Sequence, residues 1–92
     1  MAKNTKIFKT YSDPGHGWIA VKISLLERLG IADKITPFSY MRGKTAYLEE
    51  DCDATRFVMA YKETFGVLPQ YTQNKHTNGQ ERIRYYARYT RT

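Results

Sequence analysis

The longest uninterrupted run of hydrophobic residues in this 92-residue chain is five residues, from Phe57 to Tyr61. A membrane-spanning helix needs about 20 apolar residues, and a signal peptide needs an apolar core of about 7–15 residues. Cys52 is the only cysteine, which excludes an internal disulfide and fits a reducing compartment. We therefore expect a cytoplasmic protein without a membrane partner, built from short elements around one modest core.

Short segments of contrasting periodicity predict an α+β fold. The clearest helical stripe joins Phe57, Tyr61 and Phe65, and Asp53 before it is the expected N-cap. Strands are predicted at 18–23, 38–41, 44–49, 71–76 and 81–90, and helices at 24–29 and 54–65. This order, β-α-β-β-α-β-β, favours a single small α+β domain over residues 11–92, with a mostly antiparallel sheet and two helices on one face. Residues 1–10 are expected to form a flexible basic N-terminal arm.

The net charge of +6 is carried by the two ends of the chain. Residues 1–12 have a net charge of +3, residues 13–70 of −1 and residues 71–92 of +4. A basic excess of this kind argues against a DNA mimic, which would be acidic. It favours an anionic partner, either a nucleic acid or an acidic protein surface.

A β-hairpin is predicted in the basic C-terminal segment, because Asn78-Gly79 is a strong signal for a two-residue hairpin loop. In that register, alternate residues of the two strands share a face that carries cations, an amide and phenols but no acid. The predicted binding residues for a nucleic acid or an acidic partner are the members of this face, Tyr71, Gln73, Lys75, Arg82, Arg84, Tyr86 and Arg88. Basic groups neutralise phosphates, and tyrosine offers a plane for unstacked bases.

The same hairpin face has a simpler interpretation. Long basic side chains are common on exposed strands, where they protect sheet edges from aggregation. A shift of one residue in the strand register would also exchange the two faces. The sequence leaves both interpretations open, and they differ in whether the protein binds oligonucleotides in a salt-dependent way.

The segment around His16 is a secondary candidate binding site. Gly15 and Gly17 allow a close backbone approach to a ligand, and Trp18 offers a stacking surface. A tight turn that leads into a strand is the alternative explanation. His16 with Cys52 also suggests a small enzyme, but the carboxylates beside Cys52 disfavour the thiolate that such chemistry needs. We therefore expect no catalytic residues and no enzymatic activity.

Four carboxylates cluster between Glu49 and Asp53. A calcium loop requires alternating oxygen ligands and a glycine at its sixth position, and that position is Ala54 here. We therefore expect no metal and no other cofactor, and we interpret the cluster as a solvated acidic patch. Contact between this patch and the basic ends of a second copy would produce a homodimer, which the sequence leaves open.

Three segments between Tyr11 and Gly66 carry a family resemblance: YSDPGHGW at 11–18, LGIADKI at 29–35 and YLEEDCD at 47–53. In these segments the chain resembles a group of small proteins encoded by bacteriophages, prophages and plasmids. The group has no established activity, so no functional residue can be carried over from it. The resemblance implies an accessory protein of a mobile element, acting in a host bacterial cell. Small proteins of that kind commonly inhibit a host defence system or modulate phage nucleic-acid metabolism.

The basic hairpin face and the resemblance together favour a non-enzymatic accessory protein. The leading hypothesis is a host-defence antagonist, similar to an anti-CRISPR protein, that binds a nucleic acid or a nucleoprotein target such as a CRISPR effector complex. The first alternative is an inhibitor that binds a host protein without nucleic-acid contact, in a way that persists at high salt. The second is a small enzyme centred on His16, in which His16→Ala would abolish activity but not binding.

Overall fold

The computed structural model describes residues 7–90. Within this range the chain forms eight short strands and two α-helices, together with two 3-10 helices at Ala32–Lys34 and Arg82–Tyr85. The strands are β1 (Ile7–Phe8), β2 (Thr10–Ser12), β3 (Gly17–Lys22), β4 (Tyr40–Arg42), β5 (Thr45–Glu49), β6 (Gln70–Tyr71), β7 (Lys75–His76) and β8 (Ala87–Arg88), and the helices are α1 (Ile23–Arg28) and α2 (Asp53–Phe65).

Six of the strands form one mixed sheet in the order β7-β2-β3-β5-β4-β8, and β1 pairs with β6 separately. The pairs β2–β3, β3–β5, β4–β5 and β4–β8 are antiparallel, whereas β2–β7 is parallel. The predicted class, a single small α+β domain with two helices, is confirmed. The predicted element order differs, because the chain forms two additional strands before β3 and a different arrangement after α2.

The hydrophobic core lies between the sheet and both helices. Alternation in β3 points Ile19 and Val21 into this core, where they meet Leu26 from α1 and Phe57 from α2. Both helices therefore cover the same face of the sheet. The opposite face is left to polar and aromatic side chains, and it contains the candidate site.

The expected N-terminal arm is ordered from residue 7 onward. Phe8 is buried, and its ring packs edge-on against Phe57 and Tyr61, with ring centroids 5.2 and 5.6 Å apart. The arm boundary at residue 10 is therefore wrong, since burying a phenylalanine stabilises the ordered chain by about 1.5–3 kcal/mol. Residues 1–6 of the predicted arm lie outside the described range.

Asp53 has a different role from the expected N-cap. The helix begins at Asp53 itself after Cys52, and the buried Asp53 carboxylate accepts hydrogen bonds from the preceding loop. The donors are the Thr36 N–H at 3.0 Å, the Thr36 hydroxyl at 2.8 Å and the Ser39 hydroxyl at 2.6 Å. Asp53 therefore joins α2 to the connector that precedes β4.

We expect Asp53→Ala to destabilise the protein by about 2–3 kcal/mol, because it leaves buried hydroxyl and N–H donors without an acceptor. Urea unfolding followed by circular dichroism measures this loss. Asp33→Ala, which removes an exposed carboxylate, is the control and is expected to change stability by less than about 0.5 kcal/mol. Equal unfolding midpoints for the two variants would contradict the assignment.

Candidate nucleic-acid interface

The predicted C-terminal hairpin is wrong. The segment 71–76 does not pair with the segment 81–90: β6 runs parallel to β1, β7 runs parallel to β2, and β8 is antiparallel to β4. Asn78-Gly79 favours a hairpin only through its local turn preference. In the structure, the segments on either side of it pair instead with strands that are distant in the chain. The observed path also buries Ile83 and Tyr89, which are only 1% and 2% exposed.

The seven predicted hairpin-face residues do not share a strand-pair face. Of these, Tyr71, Gln73, Lys75, Arg82 and Arg88 are exposed, whereas Arg84 and Tyr86 are partly buried. Arg82 and Arg84 lie in the 3-10 helix rather than in a strand. The binding role of each residue stays a prediction. The hairpin that would have placed all seven on one face does not form among the described residues.

A different set of residues shares the sheet face opposite the helices, which we call the outer face. Cross-strand partners point to the same side of a sheet, so the pairings of the six strands identify its members. They are Tyr11, Trp18, Ala20, Lys22, Tyr40, Arg42, Thr45, Tyr47, Glu49, Lys75 and Arg88. Two of the predicted binding residues, Lys75 and Arg88, therefore belong to this face.

The 3-10 helix near the C-terminus covers one end of the outer face. The Arg84 guanidinium lies 5.5 Å from the centroid of the Trp18 ring, and the Tyr86 ring lies 5.2 Å from that of Tyr47. Trp18 is only 2% exposed, so it cannot offer the ligand-stacking surface expected from the sequence. The uncovered part of the face lies toward Lys22 and Arg42.

Arg84 is held in a largely buried ion pair with Asp13. Its Nη2 donates to Asp13 Oδ1 at 2.8 Å, and its Nε donates to the other carboxylate oxygen. The backbone N–H groups of Gly15, His16 and Glu81 donate to the same carboxylate at 3.0 Å. The hydrogen bond from Arg84, reinforced by these N–H groups, holds the pKa of Asp13 well below its usual range. Arg84 thus anchors the C-terminal segment to the turn before β3.

A cleft of about 660 Å³, which we call the basic cleft, lies where the uncovered part of the outer face meets β1 and one side of α1. Tyr11 and Tyr47 contribute rings to it from the outer face, and Lys9 and Lys22 contribute cations. Arg28 also lines the cleft, from α1, but its guanidinium packs over the Phe65 ring of α2, 5.4 Å from the ring centroid. No carboxylate of residues 7–90 lines the cleft. The ion pairs within that range are Asp13–Arg84 and His16–Glu49, so the three cleft cations have no carboxylate at ion-pair distance there.

A row of tyrosines crosses the outer face beside the cleft. The Tyr11 and Tyr47 ring centroids are 6.1 Å apart, and Tyr86 continues the row on the other side of Tyr47. The Arg42 guanidinium lies 5.3 Å from the Tyr86 ring centroid and donates to its hydroxyl at 3.4 Å. Burial and the neighbouring Tyr86 raise the pKa of Tyr47, so its phenol stays neutral at physiological pH. The row is therefore an aromatic surface that Arg42 borders at the Tyr86 end.

The opposite end of the outer face carries a second cluster, formed by His16, Glu49 and Asp51. His16 Nδ1 lies 2.9 Å from Glu49 Oε2, and one ligand atom from each of the three residues lies within 4.8 Å of the others. His16 is exposed and Glu49 is buried. These residues line a cleft of about 540 Å³, to which Arg84 and Arg88 also contribute. His16 keeps the accessibility that a secondary binding residue needs, whereas Trp18 does not.

No family model, curated protein or solved structure matches this chain. Among residues 7–90, neither helix is long and apolar enough to cross a membrane. The candidate sites are therefore assigned from their geometry alone.

The sequence contained part of the signal for the basic cleft. Alternation in β3 separates Lys22 and Ala20 from the core residues, so their face is recognisable from the sequence. The partners of this strand are not recognisable, because pairing of β3 with β5 and β2 brings in Tyr47 and Tyr11 from distant segments. The tyrosine row therefore depends on strand pairing, which no local pattern in the sequence predicts.

Proposed function

We propose that this protein is a non-enzymatic binding protein that engages a single-stranded nucleic acid, alone or within a nucleoprotein, through the basic cleft. The observation that carries the proposal is that Lys9 and Lys22 line one cleft together with two tyrosine rings, with no carboxylate among the described lining residues. Cations without carboxylate partners attract a polyanion, which releases its own counterions when they neutralise its phosphates.

The tyrosine row favours a single strand over a duplex. The bases of a duplex are stacked and inaccessible, whereas those of a single strand are free to stack on aromatic rings. Tyr11 and Tyr47 lie on a sheet surface with Lys22 and Arg42 beside them, so a strand placed along the row would meet both rings and cations. Binding of this type tolerates different base sequences, because every base has a flat face.

The biological role we propose is antagonism of a host defence system in a bacterial cell. The resemblance to small proteins of phages, prophages and plasmids supports this setting. A nucleoprotein effector of the CRISPR type exposes guide or displaced single strands, which suit a surface with rings and cations. A stoichiometric antagonist needs a binding surface only, so this role requires no catalytic group.

Fluorescence anisotropy tests the proposal directly. We expect labelled single-stranded oligonucleotides to bind more tightly than duplexes of equal length, with affinity falling steeply between low and high salt. No binding of either probe at low salt would overturn the proposal. Capture of a nuclease-treated protein target that persists at high salt would instead identify the chain as a protein–protein inhibitor.

Replacing Tyr47 with leucine is expected to weaken single-strand binding about fivefold or more, because base–aromatic stacking contributes about 1–3 kcal/mol per base. Leucine keeps an apolar side chain at this half-buried position but removes the ring. Tyr85→Leu is the matched control, since Tyr85 is an exposed tyrosine of the 3-10 helix, lies outside the predicted binding set and does not line the basic cleft. Equal affinities for the two variants in anisotropy titrations would argue against the tyrosine row.

A further inference from the structure

We infer that His16, Glu49 and Asp51 form a binding site for a divalent transition-metal ion of the zinc type, separate from the basic cleft. The site lies at the end of the outer face where β5 leads into α2. It does not depend on the proposed nucleic-acid function, and each can fail without the other.

The distances between the ligand atoms suit one ion. Zinc binds imidazole nitrogen and carboxylate oxygen at about 2.0–2.2 Å, so neighbouring ligand atoms of a tetrahedral site lie about 3.3–3.6 Å apart. His16 Nδ1 and Glu49 Oε2 are 2.9 Å apart, so they need to separate by only about 0.5 Å to hold an ion between them. An Asp51 oxygen lies within 4.8 Å of both atoms. An ion would replace the proton shared by His16 and Glu49, and rotation of the exposed Asp51 side chain would complete the set.

Two of the three ligands are held in place by the fold. Glu49 is 8% exposed, and its Oε1 accepts the Asp51 N–H at 3.1 Å, which leaves Oε2 directed at the imidazole. The backbone of His16 is fixed by its N–H, which donates to Asp13 Oδ1 at 3.0 Å. Pre-organised ligands lose little conformational entropy when an ion binds.

The local charges favour a cation. Glu50 lies between Glu49 and Asp51 in the chain, so a further carboxylate adjoins the two proposed carboxylate ligands. Arg84 lines the same cleft, but Asp13 neutralises its charge. Arg88 donates to the Pro37 carbonyl at 3.1 Å and lies against Tyr40, and it forms no ion pair with a carboxylate among the described residues.

The donor set identifies the class of metal. An imidazole nitrogen is a poor ligand for magnesium and calcium, which prefer oxygen, and it suits zinc and its neighbours in the first transition row. Three protein ligands leave at least one coordination position for water, and the 540 Å³ cleft has room for it. With three protein ligands and a free position for water, the site has the ligand number of a metal site that is open to solvent.

Isothermal titration of the full, untagged chain with zinc chloride tests the site. We expect one saturable zinc site per chain, a higher thermal midpoint with zinc, and at least tenfold weaker binding for His16→Ala. His76→Ala is the matched control: His76 is the other histidine of the chain, is exposed, and lies in β7 outside the cluster. It is expected to bind zinc as the unmodified protein does.

Asp51→Asn provides a second test that does not threaten folding, because Asp51 is exposed and asparagine has the same shape. We expect this variant to lose at least tenfold in zinc affinity while its unfolding midpoint without zinc is unchanged. The inference is overturned if zinc fails to bind the unmodified chain. Equal losses in His16→Ala and His76→Ala, or undiminished binding by Asp51→Asn, would also overturn it.

Discussion

Asp13→Ala is expected to destabilise the protein by about 3–5 kcal/mol, the usual loss when one partner of a buried ion pair is removed. Asp13 is 5% exposed and accepts hydrogen bonds from the Arg84 side chain and from three backbone N–H groups. Removal of the Asp13 carboxylate leaves the partly buried Arg84 guanidinium without its ion-pair partner. Because a domain of this size is stabilised by only about 5–10 kcal/mol, urea unfolding should show a large decrease in midpoint.

The pH dependence of this difference provides an independent check. The pKa of Asp13 is lower in the folded protein than in the unfolded chain, so the unfolded state binds more protons as the solution is acidified. The contribution of Asp13 is therefore complete above the unfolded pKa of about 4 and is lost progressively below it. We expect the stability difference between the unmodified protein and Asp13→Ala to narrow as the pH falls below about 4.

Glu63→Ala is the control for Asp13→Ala, because it removes an exposed carboxylate from α2. Its unfolding midpoint should match that of the unmodified protein at every pH. A stability difference for Asp13→Ala that stays constant from neutral to acidic pH would show that the carboxylate charge is not what anchors the C-terminal segment.

The double charge reversal Lys22→Glu with Arg42→Glu is expected to reduce single-strand affinity at least tenfold at low salt. Both residues lie on the outer face and flank Thr45 in neighbouring strands, where the cleft meets the tyrosine row. Each phosphate that the variant no longer neutralises should flatten the dependence of log affinity on log salt by about 0.7 for a single strand. Anisotropy titrations at several salt concentrations measure both quantities.

Lys34→Glu with Arg56→Glu is the matched control for this double variant. It changes the same residue types and the same net charge, but Lys34 and Arg56 are exposed positions that do not line the basic cleft. It should retain most of the affinity and the full salt slope. Equal reductions in affinity for the two double variants would mean that overall charge, rather than the cleft, governs binding.

The α+β class was predictable because its signals are local. The stripe of Phe57, Tyr61 and Phe65 indicates a helix, and alternation around Ile19 and Val21 indicates a half-buried strand. Each pattern depends on residues that are neighbours in the chain. These elements therefore appear in the structure close to their predicted positions.

The C-terminal segment was predicted incorrectly because its structure depends on distant partners. Asn78-Gly79 favours a hairpin locally, but Lys75 pairs with Tyr11 and Arg88 pairs with Tyr40. These pairings join residues that are far apart along the chain, and no short-range pattern predicts them. The same reason applies to Phe8: its polar surroundings in the sequence predict a flexible arm, whereas its place in the core depends on contacts with Phe57 and Tyr61.

The candidate sites show the same division between local and long-range information. The basic excess of the chain and the polar face of β3, marked by Lys22, follow from the sequence alone, because composition and side-chain alternation are local properties. The tertiary structure decided which charges are free to meet a ligand. It pairs Arg84 with Asp13, leaves Lys22 without a carboxylate at ion-pair distance within the described residues, and brings His16 to Glu49 across 33 positions. Ion pairs and ligand clusters depend on distances of a few ångströms, and those distances are set only when the strands pair.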